Sequence, residues 1–186
     1  RRLLGEDDPD TLKALLDFAY TLYQQKKYGD AEPYFTEFLA KRRQPGDDDP
    51  STLKAMNTMG ILLLAQRRYD EAEPYFVESM AGRQRVLGKE DPTTLTTVNN
   101  LALLHIRQGR MKEAMPFLLQ VLEGRRGSLG PDHPKTIDSL KVAIRLFEAL
   151  QITEPDAGHD ATAAEYQTQL DAIMAEKASE PEPAAP

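Results

Sequence analysis

The 186-residue chain contains no cysteine and no tryptophan, and only three histidines. Without cysteine there is no disulfide and no thiolate ligand for zinc or an iron–sulfur cluster. No apolar run approaches the ~18 residues that a membrane helix requires, and no secretory leader precedes the first helical pattern, so a cytoplasmic chain with no membrane partner is expected. An excess of positive charge is also missing. Residues 1–145 hold 22 basic and 21 acidic side chains, whereas residues 146–186 hold 1 and 9. A near-neutral body with an acidic end offers no electrostatic footprint for a phosphate backbone, which argues against a nucleic-acid partner. What the chain does have is 40% apolar residues, enough for a sizeable core.

Those apolar residues recur with a long period. Asp8-Pro9-Asp10-Thr11-Leu12 returns as Asp49-Pro50-Ser51-Thr52-Leu53, as Asp91-Pro92-Thr93-Thr94-Leu95 and as His133-Pro134-Lys135-Thr136-Ile137, with the prolines 41, 42 and 42 residues apart. A second marker keeps the same register: Ala31-Glu32-Pro33-Tyr34-Phe35, Ala72-Glu73-Pro74-Tyr75-Phe76 and Ala114-Met115-Pro116-Phe117-Leu118. Two markers with one period define a structural repeat.

Each unit reads as two helices. The first opens at Asp/His-Pro, a capping side chain followed by proline where its missing N–H loses no bond. In the second unit Leu53, Met56, Met59, Gly60 and Leu63 then follow at three- and four-residue steps. A polar break at Gln66-Arg67-Arg68 matches Gln24 to Lys27 and Arg107 to Arg110. The second helix is expected to open near Asp70, with Asp70 and Glu73 as a capping box and the proline near its first turn. Arg42, Arg83 and Arg125 at its end suit the helix dipole.

This layout resembles the tetratricopeptide repeat family. Ala19, Gly60 and Ala102 stand twelve residues before Ala31, Ala72 and Ala114, as that family's small-residue signature requires, and large residues flank them at Phe18, Met59, Leu101, Phe35, Phe76 and Leu118. The period exceeds the usual ~34 residues and the family's tryptophan is absent. The longer period with Leu-Gly-x-x-Asp/His-Pro junctions is similar to the variant of kinesin light chains and of bacterial repeat proteins, some attached to serine/threonine kinases. The resemblance implies an all-α fold, a right-handed α-solenoid of antiparallel helix pairs. Laid on the chain, it gives residues 1–8 as the end of a truncated preceding repeat, 9–49, 50–91 and 92–133 as complete repeats, 134–177 as a partial fourth repeat with a capping helix, and 178–186 as a disordered tail. The match of Arg2 to Pro9 with Arg85 to Pro92 suggests a chain cut from a longer array. The cap is expected from Ala161 to Lys177, with Ala164, Tyr166, Leu170 and Ile173 as its packing residues.

Reactive groups are scarce. His105 falls at the place of Leu22 and Leu63 and reads as a packing residue, His133 as a helix cap, and His159 as part of a polar loop without a partner at metal-ligand spacing. Gly124 to Gly130 looks like a phosphate loop but follows a helix and aligns with the Gly82 to Gly88 junction. We therefore expect no catalytic residue, no metal and no cofactor.

The resemblance places first helices on the concave face. Carried over by period, the groove residues are Lys13, Leu16, Tyr20 and Tyr23 in unit one, Lys54, Asn57, Ile61 and Leu64 in unit two, Asn99, Leu103, Ile106 and Arg107 in unit three, and Lys141 and Arg145 in unit four. An apolar strip flanked by lysine and asparagine suits a protein or peptide partner with hydrophobic anchors and acidic residues. The family's clamp for a terminal carboxylate lacks its lysine at Leu16 and its asparagine at Tyr20, which disfavours chaperone-tail recognition. The expected role is a non-catalytic protein-interaction or scaffold module, with upstream repeats or domains in the same protein. Two alternatives stay open: a structural subunit of a homo-oligomer or large complex that packs through the same strip, and a regulatory segment of an enzyme such as a bacterial serine/threonine kinase.

Overall fold

The computed structural model describes residues 8–43 and 48–179, and the expectations for residues 1–7 and 180–186 lie outside the described residues. These form eight α-helices and no strand: α1 (Pro9–Gln24), α2 (Tyr28–Arg42), α3 (Pro50–Ala65), α4 (Tyr69–Leu87), α5 (Pro92–Arg107), α6 (Met111–Leu129), α7 (Pro134–Thr153) and α8 (His159–Ser179). Consecutive helices pack on one another throughout the described residues, and α3 also touches α5, so the molecule is a solenoid of stacked helix pairs.

The first helix of every unit is capped as its sequence demands. Asp8 accepts from Asp10 N (2.9 Å), Asp49 from Thr52 N (2.9 Å), and Asp91 from Thr93 N (2.7 Å). In the fourth unit His133 Nδ1 accepts from Lys135 N (3.2 Å), the capping role read from its sequence register.

Second helices start differently from the expectation. Arg68 and Arg110 are the residues before α4 and α6, with no capping side-chain bond, and the capping box of Asp70 and Glu73 does not form. Asp70 instead accepts from Gln108 Nε2 (3.0 Å), and Glu73 pairs with Arg110. Both carboxylates face the next unit, where a guanidinium and an amide offer stronger donors than an exposed helix start. Pro33, Pro74 and Pro116 are interior residues rather than first-turn residues, so each helix forgoes one ladder bond.

Close approach of helices fixes the small residues. A Cβ on Gly60 would lie 2.7 Å from the Phe76 ring, so Phe76 packs directly against the α3 backbone. Ala31, Ala72 and Ala114 are fully buried on the facing helices.

Arg42 stands in the last turn of α2 as expected, whereas Arg83 and Arg125 are not primarily dipole partners. Arg83 is buried, and its Nη1 donates to Thr93 O (3.0 Å) and Thr97 Oγ1 (2.7 Å) across the α4–α5 seam. Arg125 repeats this on Lys135 O (3.3 Å) and Ser139 Oγ (2.7 Å). The short acceptors on the following first helix make these arginines ties between units.

At the far end Thr153 closes α7, a single 3₁₀ turn covers Pro155–Ala157, and Gly158 (φ +73°) turns the chain. His159 begins α8 rather than lying in a polar loop. Its ring meets Phe147 at 5.8 Å, and its Nε2 lies 3.6 Å from Glu154 Oε2. Ala163 and Leu170 are the buried residues of α8, with Tyr166 and Ile173 packed beside them, while Ala164 faces solvent. Ala178 and Ser179, expected in the tail, are helical.

Unit one differs from its copies on one face. Ala14, Phe18 and Thr21 of α1 are exposed, Phe18 by 48%, whereas their counterparts Ala55, Met59 and Leu62, then Thr97, Leu101 and Leu104, are buried under the preceding second helix.

Candidate interaction groove

The candidate groove residues lie on α1, α3, α5 and α7, at positions that recur with the repeat. Lys13, Lys54, Arg107, Lys141 and Arg145 are exposed; Tyr20, Tyr23, Ile61, Leu64, Asn99, Leu103 and Ile106 are half-buried. Two candidates must be corrected. Leu16 is buried in the main core, because unit one places a leucine where the later units carry polar side chains. Asn57 is also buried, and its Oδ1 accepts from Asn100 Nδ2 (3.0 Å), which joins α3 to α5 and leaves that oxygen unavailable to a peptide amide. Asn100 is the residue that periodic reasoning passed over, since its register partners Thr58 and Asp17 are not amides.

Four of the candidates converge. Ile61, Leu64, Leu103 and Arg107 line a cleft of about 340 Å³ together with Ala65, Arg67 and Tyr69. The turn between α3 and α4 supplies Arg67, and Tyr69 is the first residue of α4. Arg67 holds a left-handed backbone (φ +63°) at the register where unit one has Lys26 (φ +59°) and unit three Gly109 (φ +75°). A non-glycine residue there costs about 1–2 kcal/mol, and this strain places an arginine at the cleft mouth. The signal was present in the sequence as the alignment of Arg67 with Gly109.

A second cleft of about 590 Å³ opens at the other end of α3 and α5. Lys54 and Asn57 line it with Thr58, Arg83, Val86, Leu87, Thr96 and Lys135. Lys54 Nζ lies over the Tyr20 ring, 4.5 Å from its centre, and that ring meets Phe35 edge-on at 5.2 Å. Burial pushes the Tyr20 phenol up to about 12. The neighbouring Thr58 hydroxyl pulls the other way, but it donates to Lys54 O (2.9 Å), and among the described residues the buried Tyr20 Oη makes no well-aligned hydrogen bond. Lys13, Tyr23, Asn99, Ile106, Lys141 and Arg145 line neither cleft.

His105 is confirmed as a packing residue. It stacks on Phe117 with ring centres 5.5 Å apart and planes 2° from parallel. Burial, assisted by Arg110, lowers its pKa. Among the described residues no group of three or more histidine, aspartate or glutamate side chains is arranged to hold a metal, and no helix is long and apolar enough to cross a membrane.

The geometry agrees with comparisons to known proteins. Profiles of the tetratricopeptide repeat match residues 51–127 and 93–150, and a second such profile matches residues 16–84. The chain belongs to the tetratricopeptide repeat family, whose repeats serve as protein-interaction scaffolds. Among solved structures it is similar to the nearly identical TPR-like repeats of a candidate kinesin light chain from Podosopora anserina, at 21% identity and TM-score 0.77, covering 96% of this chain and 82% of that one. BtubC (BKLC) from P. vanneervenii gives 18% identity and TM-score 0.77 over 96% of this chain and 70% of that one. A MamA RS-1 double mutant gives 17% identity and TM-score 0.64 over 95% and 80%. No curated relative matches the chain. Similarity at these identities defines the fold, a kinesin-light-chain-like solenoid.

Proposed function

We propose that the chain is a non-catalytic interaction module that takes a peptide segment of a partner protein along the α3–α5 groove. The observation that carries this reading is the cleft between Ile61, Leu64 and Leu103, rimmed by Arg67 and Arg107. An apolar floor anchors one or two large side chains, and the two guanidiniums, with no ion pair among the described residues, favour acidic neighbours on the ligand. Confinement to one cleft gives specificity without catalytic machinery.

The test is affinity capture with the folded chain, followed by titration of the captured segment as a synthetic peptide. Leu64→Glu and Leu103→Glu put a charge into the apolar floor and should weaken binding at least about tenfold, the equivalent of ~1.4 kcal/mol. Arg67→Ser with Arg107→Ser should weaken it mainly at low salt. Binding that survives both pairs would move the site elsewhere.

A second reading is favoured by the bare face of α1. Ala14, Phe18 and Thr21 occupy positions that the units behind them cover with a helix. That face suits a further helix of the same repeat type, so that the module works as one segment of a longer array or assembly.

A further inference from the structure

The cleft at the N-terminal end of α3 and α5 has a chemistry that the peptide reading does not use. Its floor holds Arg83, only 6% exposed. Arg83 meets a carbonyl and a hydroxyl, both neutral, through Nη1 alone, and no carboxylate among the described residues lies within ion-pair distance. Asp91 acts on it from further away while capping α5. Lys54, held over Tyr20, and the exposed Lys135 add two more cations, again with no ion pair among the described residues. The acid in the lining, Asp48, is committed to Arg85 at 2.7 and 3.0 Å. Beside these charges the half-exposed aliphatic side chains of Val86 and Leu87 line the cleft together with the buried Leu53.

A buried guanidinium without a contacting counter-ion is costly, and a bound anion would offset that cost with charge-assisted hydrogen bonds. Periodicity accounts for Arg83 as a tie, since Arg125 repeats it, but not for the set as a whole: Lys54 matches Lys13 in unit one, yet its counterparts are Thr96 in the next unit and Asp138 in the last. The volume, about 590 Å³, is in the ~300–1,000 Å³ range of small-molecule sites.

We propose that this cleft binds a free small organic carboxylate with a branched aliphatic body. The carboxylate sits on Arg83 and Lys54, with Lys135 at the rim, and the body packs on Val86 and Leu87. The site shares helices with the peptide groove but does not depend on it.

The experiment is titration of the isotope-labelled chain, followed by its backbone amide resonances, with 4-methylpentanoate, its neutral amide 4-methylpentanamide, acetate, and N-acetyl-Leu-Leu. The expected result is saturable shifts in residues 50–58, 83–87 and 92–97 with 4-methylpentanoate, about tenfold weaker binding of the neutral amide, and weaker binding of acetate. Lys54→Met and Lys135→Met keep the aliphatic stems and should each weaken 4-methylpentanoate roughly threefold, the effect shrinking with salt. Equal binding of acid and neutral amide, or acetate as good as the branched acid, would overturn the proposal. Tighter binding of N-acetyl-Leu-Leu would assign the cleft to a peptide end and overturn the small-molecule source. Failure of the peptide reading is seen on other amides, those of residues 61–69 and 103–107.

Discussion

Arg68 Nη1 lies 2.7 Å from Glu32 Oε1, and Arg110 repeats the reach back to Glu73 one period later. The glutamate of the Ala-Glu-Pro marker is therefore a tie to the next unit. It lapses where Met115 replaces it, and the matching position on α7 is Ile152, 84% exposed. Both kinds of tie cross the seam between units two and three, the half-buried Arg110–Glu73 pair and the buried Arg83 on threonine oxygens. They should differ in weight. Arg83→Ala leaves the buried Thr97 hydroxyl and the part-buried Thr93 carbonyl without their donor and should cost about 2–3 kcal/mol in urea unfolding, whereas Arg68→Ala, on a solvent-screened pair, should change stability little. Equal losses would mean that the buried arginine is not the principal tie.

Much of this architecture was legible in the sequence because it repeats. The Asp/His-Pro caps and the alternating small and large residues follow from local spacing, and the structure places them as expected except for Phe18, which is exposed. Features that depend on a neighbouring unit were not legible. Asp70 and Glu73 satisfy a local capping rule but are drawn to Gln108 and Arg110 across the seam, and Arg83 satisfies a dipole rule but is buried on Thr97. The groove divides in the same way. Ile61, Leu64, Leu103 and Arg107 were found by period and meet in one cleft, whereas Asn57 turned inward because Asn100 stood opposite it.

Gly60 tests the close approach of α3 and α4. Its added Cβ would sit 2.7–2.9 Å from three atoms of the fully buried Phe76 ring. Gly60→Ala gains helix propensity of about 1 kcal/mol but overpacks the seam by about 1–3 kcal/mol. The expected net outcome is a lower unfolding midpoint. A higher one would show that α4 shifts freely.

The open face of α1 predicts unequal costs at one register. Leu101→Ala removes a side chain 1% exposed and should cost about 2–5 kcal/mol. Phe18, at the same register, is 48% exposed and rests edge-on against Tyr34 at 4.9 Å. Phe18→Ala should cost under about 1.5 kcal/mol, the scale of a single aromatic contact. Comparable losses in denaturant titration would mean that Phe18 is covered in solution.

His105 should make stability depend on pH. Its folded pKa lies below the ordinary 6.5, mainly through burial and then through Arg110, with Glu73 and Glu113 opposing. In the window between the two values the unfolded chain binds the proton and the folded chain does not, so stability rises with pH. The contribution is complete above about 6.5 and is lost as pH falls through the depressed folded value. His105→Leu, matching Leu63 one unit earlier, should flatten this slope between pH 7 and 5 in thermal melts. An unchanged slope would assign it to other groups.

Amide exchange should be slowest in the middle of the array. Fully buried large side chains concentrate in α3 to α6, among them Met56, Leu62, Phe76, Leu104 and Leu122, whereas α1 has a bare outer face and α8 buries only Ala163 and Leu170. Each unit is held by its neighbours, so an end unit that loses its contacts exposes one seam and a central unit two. Opening free energies should therefore fall from residues 53–122 toward both ends, with α8 and α1 exchanging through partial unfolding while the centre requires global unfolding. Denaturant should shift the central amides with the full surface dependence and the terminal ones with a smaller one. Uniform protection from α1 to α8, with one denaturant slope throughout, would mean that the solenoid unfolds as a single unit and that the bare face of α1 carries no local penalty.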